Sequence, residues 1–353
     1  MAKHLIFFLH GIGKHQPQWS DEAWKTLKNA YESVGSKGTF ERRFKQAELI
    51  YDNIFEKQRK DWSDQAANLT ALFKDSGAPS AAISRIVDLH GSVGKDSFLT
   101  THVLDVLLYR YFEIVRSKVL KTVVVQIQET LLGSTPQGGV LNWSIVAHSL
   151  GTSVAHDALH WLHQKSEDGG GNVSTQNFSP STGLFVANVS KLLEKSPPAL
   201  ESMVRPSIQR TNGIFDYYLN TRHLLDPIPK PNSFRPPYDW LDEATRGAVP
   251  PRFQQIEISE LTGTNPHALE HYLANPKVHV PFFRALHDDP DFVSDADANA
   301  MYRAYEAKAD TRLKEELKLG GLRKDLEKLV SDTAPGIQGF LDAYEKFKLI
   351  AQL

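Results

Sequence analysis

The sequence predicts an α/β fold: a mostly parallel central sheet flanked by helices, with a helical insertion over about 55–100 and a helical extension over 291–353 packed on the same domain. Three observations predict it. The apolar run Leu5-Ile6-Phe7-Phe8-Leu9 ends at His10-Gly11-Ile12-Gly13, as a strand covered on both faces and closed by a glycine turn would. A second apolar run, Trp143-Ser144-Ile145-Val146, leads through Ala147-His148-Ser149-Leu150-Gly151 into the helix-compatible Thr152 to Leu159. Further strand-like segments follow, Tyr217 to Leu225 and Phe253 to Ser259, the latter before a helical His267 to Leu273. At 353 residues the chain is longer than a typical domain, but one α/β core with insertions holds that much, so 1–290 is read as one domain carrying the extension.

The elements between these anchors follow from periodicity and breakers. Asp21 to Val34 reads as a helix, Ser36 to Gly38 as a turn and Ala47 to Tyr51 as a strand. From Asp61 to about Val87 the composition is helical, interrupted at Gly77-Ala78-Pro79 and again at Gly91 and Gly94. Phe98 to Leu132 has helical spacing throughout. Val103, Leu104, Leu107, Leu108, Tyr111, Ile114, Val115, Val119 and Leu120 form its expected buried face, with Arg110, Glu113, Arg116 and Lys118 toward solvent. A flexible loop is expected at Glu167 to Asn172 and a strand at Phe185 to Val189. Pro229 to Pro251 is expected to expose Phe234, Tyr238 and Trp240 as one wall of a substrate site. Ala296 to Val330 reads as a solvated helical appendage broken at Gly320-Gly321, suited to an oligomer contact.

The residue types at the ends of these strands suit acyl-transfer chemistry. In a nucleophile elbow the serine sits on a strained turn, with small residues two positions either side so that strand and helix approach closely. Ser149 has Ala147 and Gly151 in those places, alanine standing where glycine is usual. A developing oxyanion needs backbone donors, and the glycine turn can supply Ile12 N–H, with Gly13 as an alternate, to act with Leu150 N–H. The acid must be rigidly held; Asp226, fixed by Pro227 and Pro229, fits better than Asp216, which precedes its strand. The base is expected after the last strand, at His267, with His271 one turn further as the alternate.

In these motifs the chain resembles the α/β-hydrolase superfamily, and within it lipase-like and phospholipase-like serine esterases. His10-Gly11-Ile12-Gly13 is similar to the oxyanion loop, and Ala147-His148-Ser149-Leu150-Gly151 to an elbow in which some lipases also carry alanine first. Leu225-Asp226-Pro227-Ile228-Pro229 resembles the acid-bearing turn of lipases, and His267-Ala268-Leu269-Glu270-His271-Tyr272-Leu273 the histidine segment of plastid-type class 3 lipases, in which the first histidine is catalytic. Asp105 to Tyr109 resembles a segment of intracellular phospholipase-type relatives. The resemblance implies a hydrolase with the chain order Ser, Asp, His, acting on lipid esters.

Composition narrows the alternatives. With 41% hydrophobic and 23% charged residues the chain is ordinary for a globular protein, and a net charge of -2 gives no broad basic field for nucleic acid. The absence of cysteine removes disulfides, thiolate catalysis and Cys-ligated zinc. His156, His160 and His163 share a helix face, but no zincin glutamate lies between them; packing or surface roles are expected, and no metal or cofactor. No apolar stretch approaches a membrane span, and the first apolar run is too short for a signal peptide, so residence in the cytoplasm is expected unless export uses another route. The expected function is therefore a serine hydrolase of carboxylic esters acting on a small-molecule or lipid ester. An acyltransferase or amidase using the same three residues, or a non-catalytic interaction protein, is the alternative. The C-terminal helices are the expected homo-oligomer contact.

Overall fold

The computed structural model describes residues 3–13, 15–34, 39–63, 98–134, 141–167, 180–195, 197–210, 212–315 and 317–351. Six strands form one all-parallel sheet in the order β2-β1-β3-β4-β5-β6: β1 (His4–Leu9), β2 (Phe44–Leu49), β3 (Trp143–His148), β4 (Thr182–Val186), β5 (Tyr217–His223) and β6 (Phe253–Ile258). The chain steps outward from β1 to β2, then returns across β1 to β3 and continues in the other direction. In open parallel sheets that reversal opens a crevice at the carboxyl ends of the strands. Here it falls between the turn after β1 and the turn after β3.

Alternation along β1 shows why its run is apolar throughout. Leu5, Phe7 and Leu9 face one layer, with α4 (Phe98–Tyr111), α5 (Glu113–Ser134) and α6 (Leu150–Glu167); Ile6 and Phe8 face the other, with α1 (Asp21–Ser33), α9 (Leu269–Ala274) and α10 (Pro276–His287). Short helices α2 (Phe40–Arg43), α7 (Ser190–Leu193) and α8 (Glu243–Arg246) and the longer α3 (Asp52–Ser63) complete the connections. Of the expected insertion, 64–97 lies outside the described residues, as do the turn at Ser36 to Gly38 and the loop at 168–172.

Several expectations are corrected. The apolar stretch from Phe98 is two helices, parted at Phe112. Arg116 is not on a solvent face but 4% exposed, because Asp157 of α6 meets its guanidinium at 2.5 Å and the Leu193 carbonyl accepts from it at 3.1 Å. Phe234 and Trp240 are buried as well: Tyr218 stacks on the first at 5.7 Å and meets the second edge-on at 5.8 Å, leaving only Tyr238 in solvent. Beyond α11 (Asp295–Glu315), Gly320 and Gly321 lie inside α12 (Leu317–Asp332) rather than ending a helix. A glycine costs a helix only about 1 kcal/mol, and buried Leu322, Leu326 and Leu329 hold this one. Beyond that stretch a final helix, α13 (Gly336–Ala351), buries Phe340, Leu341, Tyr344 and Phe347 in the same layer as Leu5 and Phe7.

Candidate functional site

Every residue singled out at a strand end lies at the carboxyl edge of the sheet, except Asp216. Ser149 follows β3 directly, at φ 53°, a left-handed conformation that costs a non-glycine residue about 1–2 kcal/mol. The surroundings enforce it. Ser149 N–H donates to Val186 O at 3.0 Å, its carbonyl accepts from Thr152 N–H at 2.9 Å and Thr152 Oγ1 at 2.6 Å, and Thr152 Oγ1 in turn accepts from Val189 N–H at 3.0 Å. Gly151 has no room for a side chain: a Cβ there would lie 2.3 Å from His10 O and 2.6 Å from Leu9 O. Ala147 is fully buried between Leu9 and Phe185 in register, a place a methyl group fills.

The serine hydroxyl meets His267. Ser149 Oγ lies 3.0 Å from His267 Nε2, and His267 Nδ1 lies 2.7 Å from Asp226 Oδ2. Asp226, three residues past β5, is 2% exposed and fully bonded: Oδ1 accepts from Ile228 N–H at 2.9 Å, and Oδ2 also accepts from Tyr272 Oη at 2.9 Å. Burial alone would push this carboxyl up; the contacts from His267, Ile228 and Tyr272 outweigh it and hold the pKa below the ordinary value, so the group stays ionised. His267 is fixed by its own backbone, with N–H donating to Asn265 Oδ1 at 2.9 Å and the carbonyl accepting from His148 Nε2 at 2.7 Å. Burial, then the neighbouring His267, lowers His148 to about 3, so it makes that contact as a neutral ring.

The alternates lie elsewhere. His271 is buried with Nδ1 at 3.2 Å from Thr262 Oγ1 and its ring 5.1 Å from His223. Asp216 pairs with Arg210 at 2.6 Å, at the amino end of β5, the wrong edge of the sheet. His156 is a packing residue, bonded to Tyr218 Oη at 2.8 Å and Ser202 Oγ at 3.2 Å.

The turn after β1 presses on the elbow. A Cβ on Gly11 would meet Ser149 Cβ at 2.8 Å, so only glycine lets this backbone approach the serine so closely. Gly13 has φ 148°, a conformation that favours glycine. Among the described residues, the N–H groups of Ile12 and Leu150 donate to no protein acceptor, leaving them for a ligand. The arrangement can therefore remove a proton from Ser149 through the imidazole of His267, stabilise the resulting imidazolium with a carboxylate, and offer donors to an anion beside the serine.

Three contributors were not anticipated from sequence. Tyr272 lies in the histidine segment, and nothing in its spacing says that its hydroxyl turns to Asp226. Phe347 of α13 sits with its ring 6.4 Å from that of His267, an apolar neighbour supplied from the far end of the chain. Tyr51, expected as the end of a strand, instead follows β2 and stacks on His10 at 4.1 Å. One further group of ligand-type side chains, His10, His15 and Asp52, lies behind the turn, with donor atoms within 4.8 Å of one another.

No protein-family model and no curated protein matches the chain. Among solved structures, an uncharacterized protein from Pseudomonas aeruginosa is similar at 10% identity and a TM-score of 0.33, covering 96% of this chain and 52% of that one. The chain thus spans about half the length of that protein, and a likeness this distant carries no argument about activity.

Proposed function

We propose that this protein is a serine hydrolase of carboxylic esters, built as an α/β-hydrolase with a Ser149-Asp226-His267 triad. The single observation that carries the reading is the unbroken hydrogen-bonded chain from Ser149 Oγ through both nitrogens of His267 to Asp226, with the serine in a left-handed turn between strand and helix. A serine held only for packing has no need of either feature. In the proposed reaction Ser149 Oγ attacks the ester carbonyl while His267 Nε2 takes its proton. The carbonyl oxygen becomes an oxyanion, bound by Ile12 and Leu150 N–H, and Asp226 stabilises the imidazolium across 2.7 Å. Collapse expels the alcohol, which leaves with the proton from Nε2. Water then attacks the acyl-enzyme with the same histidine as base, and the acid departs.

The side chains packed beside the triad are apolar. Ser149 is 2% exposed, and α13 brings Phe347 against His267, with Phe340, Leu341 and Tyr344 on the same helix buried in the layer that includes Leu9 and Leu150. A long or branched acyl group gains about 0.8 kcal/mol per buried methylene in such surroundings, which favours greasy esters over small polar ones. Among the described residues no helix is long and apolar enough to cross a membrane. A p-nitrophenyl ester series of rising chain length tests the proposal. Turnover by the wild-type protein that rises with chain length and disappears in Ser149→Ala is expected; no turnover at any length, or turnover retained by the variant, contradicts it.

A further inference from the structure

Parallel register brings the carboxyl ends of β1 and β2 side by side, with Leu9 opposite Leu49. Tyr51 and Asp52 therefore lie next to the turn that begins at His10. We propose that Tyr51 is a positioning residue that sets the direction of the Ile12 N–H, with His10, His15 and Asp52 as the clamp around it. This rests on the reading of Ile12 N–H as an oxyanion donor.

The argument is one of peptide geometry. Tyr51 Oη donates to His10 O at 2.7 Å and lies 3.3 Å from Gly11 O. In a trans peptide the N–H points opposite to the preceding C=O. Tyr51 Oη holds the His10 carbonyl directly and shares the Gly11 carbonyl with His10 Nδ1–H, so the N–H groups of Gly11 and Ile12 turn away from Tyr51. His10 reinforces the arrangement as a single neutral tautomer: Nδ1–H donates to Gly11 O at 2.8 Å, and Nε2 accepts from Tyr51 N–H at 3.5 Å. The far end of the loop is held by the next residue along, since Asp52 Oδ2 accepts from His15 N–H at 2.5 Å and from its Nδ1 at 3.0 Å. His10 is sandwiched between His15 and Tyr51, both at 4.1 Å and 20°.

His10, His15 and Asp52 also have the composition of a divalent-cation site, and the geometry favours the clamp. Imidazole lone pairs lie in the ring plane, so two stacked rings inclined by 20° send them side by side. They do not converge at the ~2.0–2.1 Å that zinc requires. The nitrogen of His10 nearest Asp52, at 3.6 Å, is already the donor to Gly11 O.

Tyr51→Phe removes the hydroxyl and keeps the ring. The expected result is kcat lowered by about 10- to 100-fold with KM unchanged, since only the donor to the developing charge is disturbed. Affinity for an alkyl boronic acid, which mimics the tetrahedral oxyanion, falls by the same factor. Hydrogen exchange at the Gly11 to Gly13 amides quickens by at least about tenfold. Unchanged kcat, boronate affinity and exchange overturn the proposal, as does a stoichiometric metal ion whose chelation from the wild-type protein loosens the loop. If Tyr51→Phe fails to fold, Asp52→Asn is read by the same three measurements. Should the wild-type protein turn over no ester, the hydrolase reading falls, and the exchange comparison still decides whether Tyr51 orients the loop.

Discussion

Two histidine–aspartate contacts lie at the same edge of the sheet, and they do different work. His267 meets Asp226 at 2.7 Å and His15 meets Asp52 at 3.0 Å, so the pair distance alone does not distinguish them. What separates them is the rest of each imidazole. The second nitrogen of His267 faces a serine hydroxyl in a strained turn, beside backbone N–H groups that donate to no acceptor among the described residues. His15 stacks on a buried histidine, and its aspartate also accepts a backbone N–H. An acid–imidazole pair becomes a proton relay where it ends on a nucleophile; where it ends on backbone and aromatic rings it holds a loop.

The sharpest way to break that comparison is to remove the histidine of the first contact, with His271, the alternate one turn along, as the control. In the account proposed here His267→Ala lowers turnover by about 10⁶, as triad members act as a unit, whereas His271→Ala, whose ring meets Thr262 and His223, stays within about tenfold of wild type. Equal losses in the two variants would remove His267 from the relay. Asp226→Asn comes next, with an expected loss of about 10⁴ in kcat because the amide holds the wrong tautomer. A smaller loss there would make Asp226 no more special than Asp52.

Tyr272→Phe is subtler. It withdraws one of the donors to Asp226, a hydrogen bond to a charged group worth about 1.5–3 kcal/mol, so turnover falls by about 10- to 100-fold. A loss of stability with turnover unchanged would assign Tyr272 to packing alone.

The smallest effect concerns stability. Burial is the leading cause holding His148 and His156 near 3 and His4, His223 and His279 near 4, against an ordinary 6.5. They are neutral in the fold, and the unfolded chain takes up their protons first. Their contribution is therefore complete above pH 6.5 and drains away as the pH falls toward 3–4. Thermal melting across that window is expected to show Tm falling steadily below pH 6.5, less so in His156→Gln; a flat profile would contradict the burial argument.

Much of this layout was legible in the sequence, for reasons that can be stated. Unbroken apolar runs mark strands covered on both faces, which is why the runs match β1 to within a residue and β3 to within two. Short motifs with strict steric demands, the Gly11 approach and the Gly151 contact, announce themselves because no other residue fits. Contacts that depend on a folded partner do not. Arg116 looks like a solvent charge until α6 supplies Asp157, and Phe234 looks exposed until Tyr218 lies over it. Tyr272, Tyr51 and Phe347 act on the site through single atoms or ring faces that no periodicity encodes. Gly320-Gly321 misled because local propensity is weak beside the burial of Leu322 and Leu326.

The central claim, that Ser149 is an activated nucleophile, is tested most directly by its own reactivity. An alkyl fluorophosphonate should add one phosphonyl group per chain, located by peptide mass analysis on the segment containing Ser149, at a rate that collapses in His267→Ala. Labelling elsewhere, or labelling of Ser149 that is indifferent to His267, would contradict the account.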